Sequence, residues 1–214
     1  HHRSEWFGCS CCPTNVVRVV PSVPGYVYAT DADAIYVNLY AAGTAEIAHP
    51  KGKVTLVQET RYPWDGTVTI RAEAEKPTAL TLALRIPAWA RGETRTEGLY
   101  RLTPAAGPPT VGVEVNGVAV EARDVKDGYV RLDRTRTKGD VVELDLPMPV
   151  SRVRAHEKVE ADRGRVALQR GPVVYCFEGV DNAHLAHAYL PPDAAIRAEH
   201  RPDLLGGVTV LVAE

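Results

Sequence analysis

Charge of one sign, long apolar runs and cysteine are all scarce in this sequence, and each scarcity removes a class of function. Lysine and arginine number 25 against 27 aspartates and glutamates, for a formal net charge of −2. No excess of basic residues therefore argues for nucleic acid or an anionic membrane as partner. No apolar stretch approaches the ~20 residues that span a bilayer. The opening His-His-Arg-Ser-Glu-Trp-Phe lacks the apolar segment of a secretory signal, so no signal peptide is expected. Four cysteines in 214 residues are too few for a disulfide-stapled scaffold. What remains, 45% hydrophobic and 24% charged, is ordinary globular composition and long enough to bury a core.

Most of the chain carries the period of strands. Tyr26 to Tyr40 reads as two β-rich arms around an Asp-rich turn, and the stretch after Lys53 repeats the plan with Pro63-Trp64-Asp65-Gly66 as its turn. Leu80, Leu82, Leu84 and Ile86 alternate with smaller or polar residues, as in a strand with one buried face. Asn116-Gly117 and Asp127-Gly128 are tight-turn dipeptides. Segments from Asp140, Arg165 and Pro172 continue the series. This spacing predicts an all-β fold, two β-sandwich-like units preceded by one short helix. Residues 90–110, rich in Gly, Pro and Thr, are the expected boundary between units. The domain division that follows is 1–25, 26–100 and 101–214.

The cysteines are few but not scattered. Cys9, Cys11 and Cys12 fall within four positions, and Pro13 follows at once. Proline suits a first helical position, Asn15 to Val20 continue a helix, and Pro21 and Pro24 stop it. Cys11 and Cys12 are thus expected at or just before a helix N-terminus, where the dipole favours an anion. Thiolate is the form that binds metal and attacks carbon. Incidental thiols are one reading of the cluster. A disulfide is another, though Cys11–Cys12 would be a strained vicinal ring and Cys9–Cys11 little better. Metal binding fits best, since soft thiolates suit zinc, but one turn supplies only two or three ligands. Cys176, in an apolar stretch, is expected in the core.

The residues from His1 to Arg18, with their C-x-C-C-P-x-N element, resemble the signature of glycoside hydrolase family 127, the β-L-arabinofuranosidase family. The likeness continues through the stretches beginning at Tyr26, Tyr62, Leu84 and Gly164, in order, and so covers most of the chain. The resemblance implies the last segment of an (α/α)6 barrel followed by β-sandwiches, with most of the catalytic barrel lying outside this chain. It implies a zinc ion (Zn2+) and a retaining mechanism. Cys11 would be both nucleophile and metal ligand, Cys12 a second ligand, and Cys9 a further cysteine close to the metal. The other ligands and the acid/base glutamate would come from barrel sequence, and Glu5 has nothing in the motif to support it as a ligand. An L-arabinofuranoside or related glycoside is the implied substrate. The missing barrel domain is an implied partner, a second copy bound through a β-sandwich another, and a cytoplasmic bacterial location is expected.

Bland readings suit the remaining candidates. Trp64 and Trp89 flank turns and are read as core or interface rings rather than sugar platforms. His156, His184, His187 and His200 lack metal spacing. Arg152, Arg154, Arg163 and Arg165 are interleaved with acids and read as a solvated face, while Arg3 and Arg18 flank the cysteines and are candidates to touch substrate. Two functions from different classes follow. One is part of a zinc-dependent glycosidase, inactive by itself without its acid/base group; the other is a non-catalytic β-sandwich module for assembly or carbohydrate binding.

Overall fold

The computed structural model describes residues 8–93, 98–104, 109–121, 125–137, 139–179 and 189–213. Arg3, Glu5, His184, His187 and parts of the expected 90–110 boundary lie outside the described residues. The first described elements are α1 (Cys11–Val19), a short 3-10 turn (Val20–Ser22) and α2 (Pro24–Val27), and among the described residues the rest is strand, connection and two more 3-10 turns, Ala88–Arg91 and Glu160–Asp162. Pro21 and Pro24 break the helical run as their missing N–H groups require.

Two sheets face one another. The first holds β1 (Tyr28–Thr30), β2 (Ala34–Val37), β6 (Thr78–Arg85) and β10 (Tyr129–Arg136), in that order. The second runs β3 (Gly43–His49), β4 (Gly52–Thr60), β5 (Thr67–Ala74), β11 (Asp140–Asp145), β8 (Gly112–Val115), β9 (Val118–Ala119). Pairing is antiparallel except between β2 and β6, where Ile35 lies beside Leu82 in parallel register. Period-2 burial sends Leu80, Leu82 and Leu84 inward from β6, against Leu56, Ile70, Val142 and Leu144 from the facing sheet, all in one core cluster. Each such side chain contributes about 1.5–3 kcal/mol on burial. Turn chemistry follows the sequence: Asn116 and Gly117 take φ of 53° and 74°, and Asp127 and Gly128 of 54° and 87°, the left-handed pairs that tight hairpins require.

The second unit is thinner. Its sheet is β14 (Val173–Tyr175), β13 (Ala167–Arg170), β12 (Val150–Ala155), β7 (Tyr100–Pro104), beside a hairpin of β15 (Ile196–Arg201) and β16 (Val208–Ala213). Among its described residues from 150 on, only Val150, Ser151, Gly171 and Thr209 are buried. Arg152 ties the sheet to the segment that leads into the hairpin, its guanidinium donating to the Pro191 and Ala194 carbonyls at 2.8 Å each. It is a bridge and not part of a solvated face, as the charge pattern had suggested.

The strands do not divide at residues 90–110. β8 to β11 complete sheets begun before residue 90, while β7 crosses to pair with β12. The expected boundary thus carries one strand of the second unit's sheet between β6 and β8 of the first sandwich, and the main change of unit comes between β11 and β12. Among the described residues no helix is long and apolar enough to cross a membrane.

Candidate active site

α1 begins at Cys11, so Cys11 and Cys12 occupy its first two positions and Cys9 lies just outside. All three are exposed free thiols, and the turn folds them together. Cys9 Sγ is 3.1 Å from Cys11 Sγ, and Cys11 Sγ is 3.7 Å from Cys12 Sγ. Ser10 is the N-cap, yet its hydroxyl makes no capping bond. The turn is held from the carbonyl side instead. Thr14 Oγ1 lies 2.9 Å from the Ser10 carbonyl oxygen and 3.0 Å from that of Cys11, and Asn15 Nδ2 donates to the Cys11 carbonyl at 2.8 Å. Arg18 Nη2 donates to Asn15 Oδ1 at 3.0 Å. Arg18, a candidate substrate contact, therefore braces the motif itself. Asn15 closes the C-x-C-C-P-x-N element read in the sequence, though no role was assigned to it, and Thr14 was not singled out; their spacings of four and three from Cys11 were the available signal.

Zinc surrounded tetrahedrally by sulfur at about 2.3 Å sets neighbouring thiolates about 3.8 Å apart. The 3.7 Å between Cys11 and Cys12 matches one edge of that figure. The 3.1 Å from Cys9 to Cys11 is shorter than a second edge. Among the described residues no group of three or more His, Cys, Asp or Glu is arranged to hold a metal ion. The donors present thus fit one edge of a zinc site and do not close it.

The other candidates are not drawn to the thiols. Cys176 follows the last residue of β14 and is exposed, contrary to the core position expected of it, because it continues the face of Val174, which is itself exposed. Trp89 packs against the core cluster and Trp64 is half-buried. His156 and His200 are exposed; His156 Nδ1 accepts the Lys158 N–H at 3.1 Å. Among the described histidines the buried one is His49, and its needs are met by protein: Nε2 donates to the Asp31 carbonyl at 2.9 Å and Nδ1 accepts the Lys51 N–H at 3.2 Å. An open cleft of about 410 Å³, lined by residues including Tyr26, Asn38, Arg85, Asp127 and Tyr129, contains none of the cysteines.

Helix α1 has no buried residue, and Val16, Val17, Val19 and Val20 are each more than half exposed. A helix with so many bare valines lacks its covering partner. The relatives supply the context. Residues 34–148 match the family described as "Beta-L-arabinofuranosidase, GH127 middle domain", and residues 150–205 the "Glycoside hydrolase family 127 C-terminal domain". A "Non-reducing end beta-L-arabinofuranosidase" of Bifidobacterium longum subsp. longum is 39% identical over 222 aligned positions, covering 97% of this chain and 30% of its own length. A solved GH127 β-L-arabinofuranosidase from Geobacillus stearothermophilus T6 superposes with a TM-score of 0.84 at 41% identity, over 99% of this chain and 31% of its own. A solved GH127 β-arabinofuranosidase gives 0.91 at 43%, over 100% and 33%. These relatives are glycoside hydrolases. The chain belongs to glycoside hydrolase family 127. It resembles the C-terminal part of the family's β-L-arabinofuranosidases and spans about a third of the relatives' length.

Proposed function

We propose that this chain is the C-terminal part of a retaining β-L-arabinofuranosidase in which Cys11 is the nucleophile and Cys11 and Cys12 are zinc ligands. The observation that carries the reading is the thiol turn at the start of an uncovered helix, with Cys11 and Cys12 spaced as one edge of a thiolate site. Cys9, 3.1 Å from Cys11, lies beside the metal in this reading. Zinc, when bound, would keep its thiolates deprotonated and fixed in place. Cys11 Sγ attacks the anomeric carbon; a carbon–sulfur bond forms as the glycosidic carbon–oxygen bond breaks. The leaving oxygen takes its proton from a carboxylic acid in the part of the enzyme beyond this chain. Water, activated by that same carboxylate, then displaces Cys11 Sγ and releases the sugar. The bare valines of α1 support an interface with that part, the catalytic barrel. Four free cysteines support a reducing, cytoplasmic setting.

The test is Cys11→Ser in the full-length enzyme, assayed on an aryl β-L-arabinofuranoside. Turnover should vanish while the far-ultraviolet spectrum of the sandwich is retained. Near-normal rates would remove Cys11 from the role of nucleophile. The chain by itself should hydrolyse essentially none of this substrate, since loss of an acid/base group alone costs about 10²–10⁴-fold.

A further inference from the structure

We propose that Asn15, oriented by Arg18, is a positioning residue for Cys11. The inference rests on the reading of Cys11 as nucleophile and deepens it. The carbonyl that Asn15 grips belongs to the peptide joining Cys11 to Cys12, so its plane sets both where each thiol starts and the 3.7 Å between them. An ordinary helix start is held by its N-cap side chain, but here the Ser10 hydroxyl caps nothing. The hydroxyl of Thr14 has one proton to share between the Ser10 and Cys11 carbonyls. The Asn15 amide is therefore the committed side-chain donor on the Cys11 carbonyl, at 2.8 Å.

Arg18 decides which way that amide faces. A guanidinium can only donate, so its 3.0 Å bond must go to the amide oxygen, and this turns the Asn15 NH₂ toward Cys11. The series Arg18, Asn15, Cys11 carbonyl runs along one face of α1 at spacings of three and four residues. None of these groups touches the thiols, so Asn15 acts through the backbone of Cys11. A nucleophile must sit about 3–3.5 Å from the carbon it attacks, and a displacement of about 1 Å costs on the order of 10²-fold. An uncapped first turn that frays or tilts would supply such a displacement.

The experiment uses the full-length enzyme and four variants: Cys11→Ser, Asn15→Leu, Asn15→Ser and Arg18→Ala. Leucine is close in shape to asparagine, donates nothing and forms helix more readily, so it removes the bond without weakening the helix. Serine restores a donor, because a hydroxyl at this position reaches the carbonyl four residues back. Asn15→Leu should lower kcat by about ten- to a hundredfold, with KM within twofold and melting temperature and zinc content unchanged. The alkylation rate of Cys11 by iodoacetamide should change with kcat. Asn15→Ser should recover part of the loss, and Arg18→Ala should fall between. Wild-type kcat in Asn15→Leu, with Cys11→Ser inactive, would overturn the role of Asn15 alone. Losses that follow melting temperature, with no recovery in Asn15→Ser, would overturn it as well. Activity in Cys11→Ser would instead bring down the nucleophile reading.

Discussion

Arg136 is 1% exposed, and only its Nη2 is satisfied, on the Leu132 carbonyl at 2.6 Å; Nε and Nη1 are buried without a hydrogen-bond partner. Desolvation pulls its pKa down to about 10, with Asp140 and Asp133 opposing and Arg134 adding to the shift. Arg136→Met removes the buried charge and keeps the stem, so the urea midpoint of this chain should rise, by on the order of 1 kcal/mol. A lower midpoint would mean that the guanidinium contributes more than its desolvation costs. Side chains of this kind are the least legible in sequence. Nothing around Arg136 distinguishes it from the exposed Arg134 two residues earlier in β10. The Cys9–Cys12 cluster was legible because its neighbours in sequence are its neighbours in space. Cys176 was not, since an apolar context does not say which face of β14 meets solvent. Cys176→Ser should accordingly leave the melting temperature of the chain within about a degree, as exposed positions away from special features change little.

Turns and strands show which parts of an element are written locally. The β1–β2 turn is tied by Asp31, whose carboxylate accepts from the Asp33 and Ala34 N–H groups and from the Tyr36 hydroxyl at 2.7 Å. These bonds, that from Tyr36 first, hold its carboxyl below the usual range. The folded value is lower than the unfolded one, about 3.9. The stability it confers is therefore present above that pH and lost as pH falls through the lowered value. Asp31→Asn should flatten the acid limb of the stability curve below about pH 4; an unchanged limb in acid titration followed by circular dichroism would contradict it. The β4–β5 turn contains a glycine for a different reason. A Cβ on Gly66 would lie 1.9 Å from the Leu146 carbonyl oxygen, whose residue also donates its N–H to the Gly66 carbonyl at 3.0 Å. Gly66→Ala should cost about 3 kcal/mol, read from the denaturation midpoint. The turn itself was legible in Pro63 to Gly66, but the close approach was not, because Leu146 is eighty residues away in sequence. Strand β3 escaped notice for a related reason: it is an edge strand, largely exposed, without clean alternation of apolar residues.

At the scale of the molecule, burial is uneven, and the family relationship gives that unevenness a meaning. The first sandwich gathers its buried residues into one cluster drawn from both sheets, across strands before and after residue 100. That topology was hidden because alternation identifies strands without saying which sheet each joins. Among the described residues the second unit has four buried ones from 150 on, and α1 has none. Local opening should be cheapest where the least apolar surface is lost from water. In hydrogen exchange on this chain, the amides of β4, β5, β6 and β11 should be the slowest. Those of β13 to β16 should exchange sooner, and those of α1 soonest. The comparison with the full-length enzyme separates causes. If α1 is the inner face of an interface with the rest of the polypeptide, its amides should gain protection there while those of β5 and β6 change little. Val17, 70% exposed, marks the same boundary. Val17→Asp should be nearly neutral in this chain, where water already surrounds the side chain, and destabilising in the full-length enzyme, where it would place a charge against apolar surface. Equal effects in both would mean that α1 meets no partner, and the thiol turn at its start would then face solvent in the whole protein as it does here.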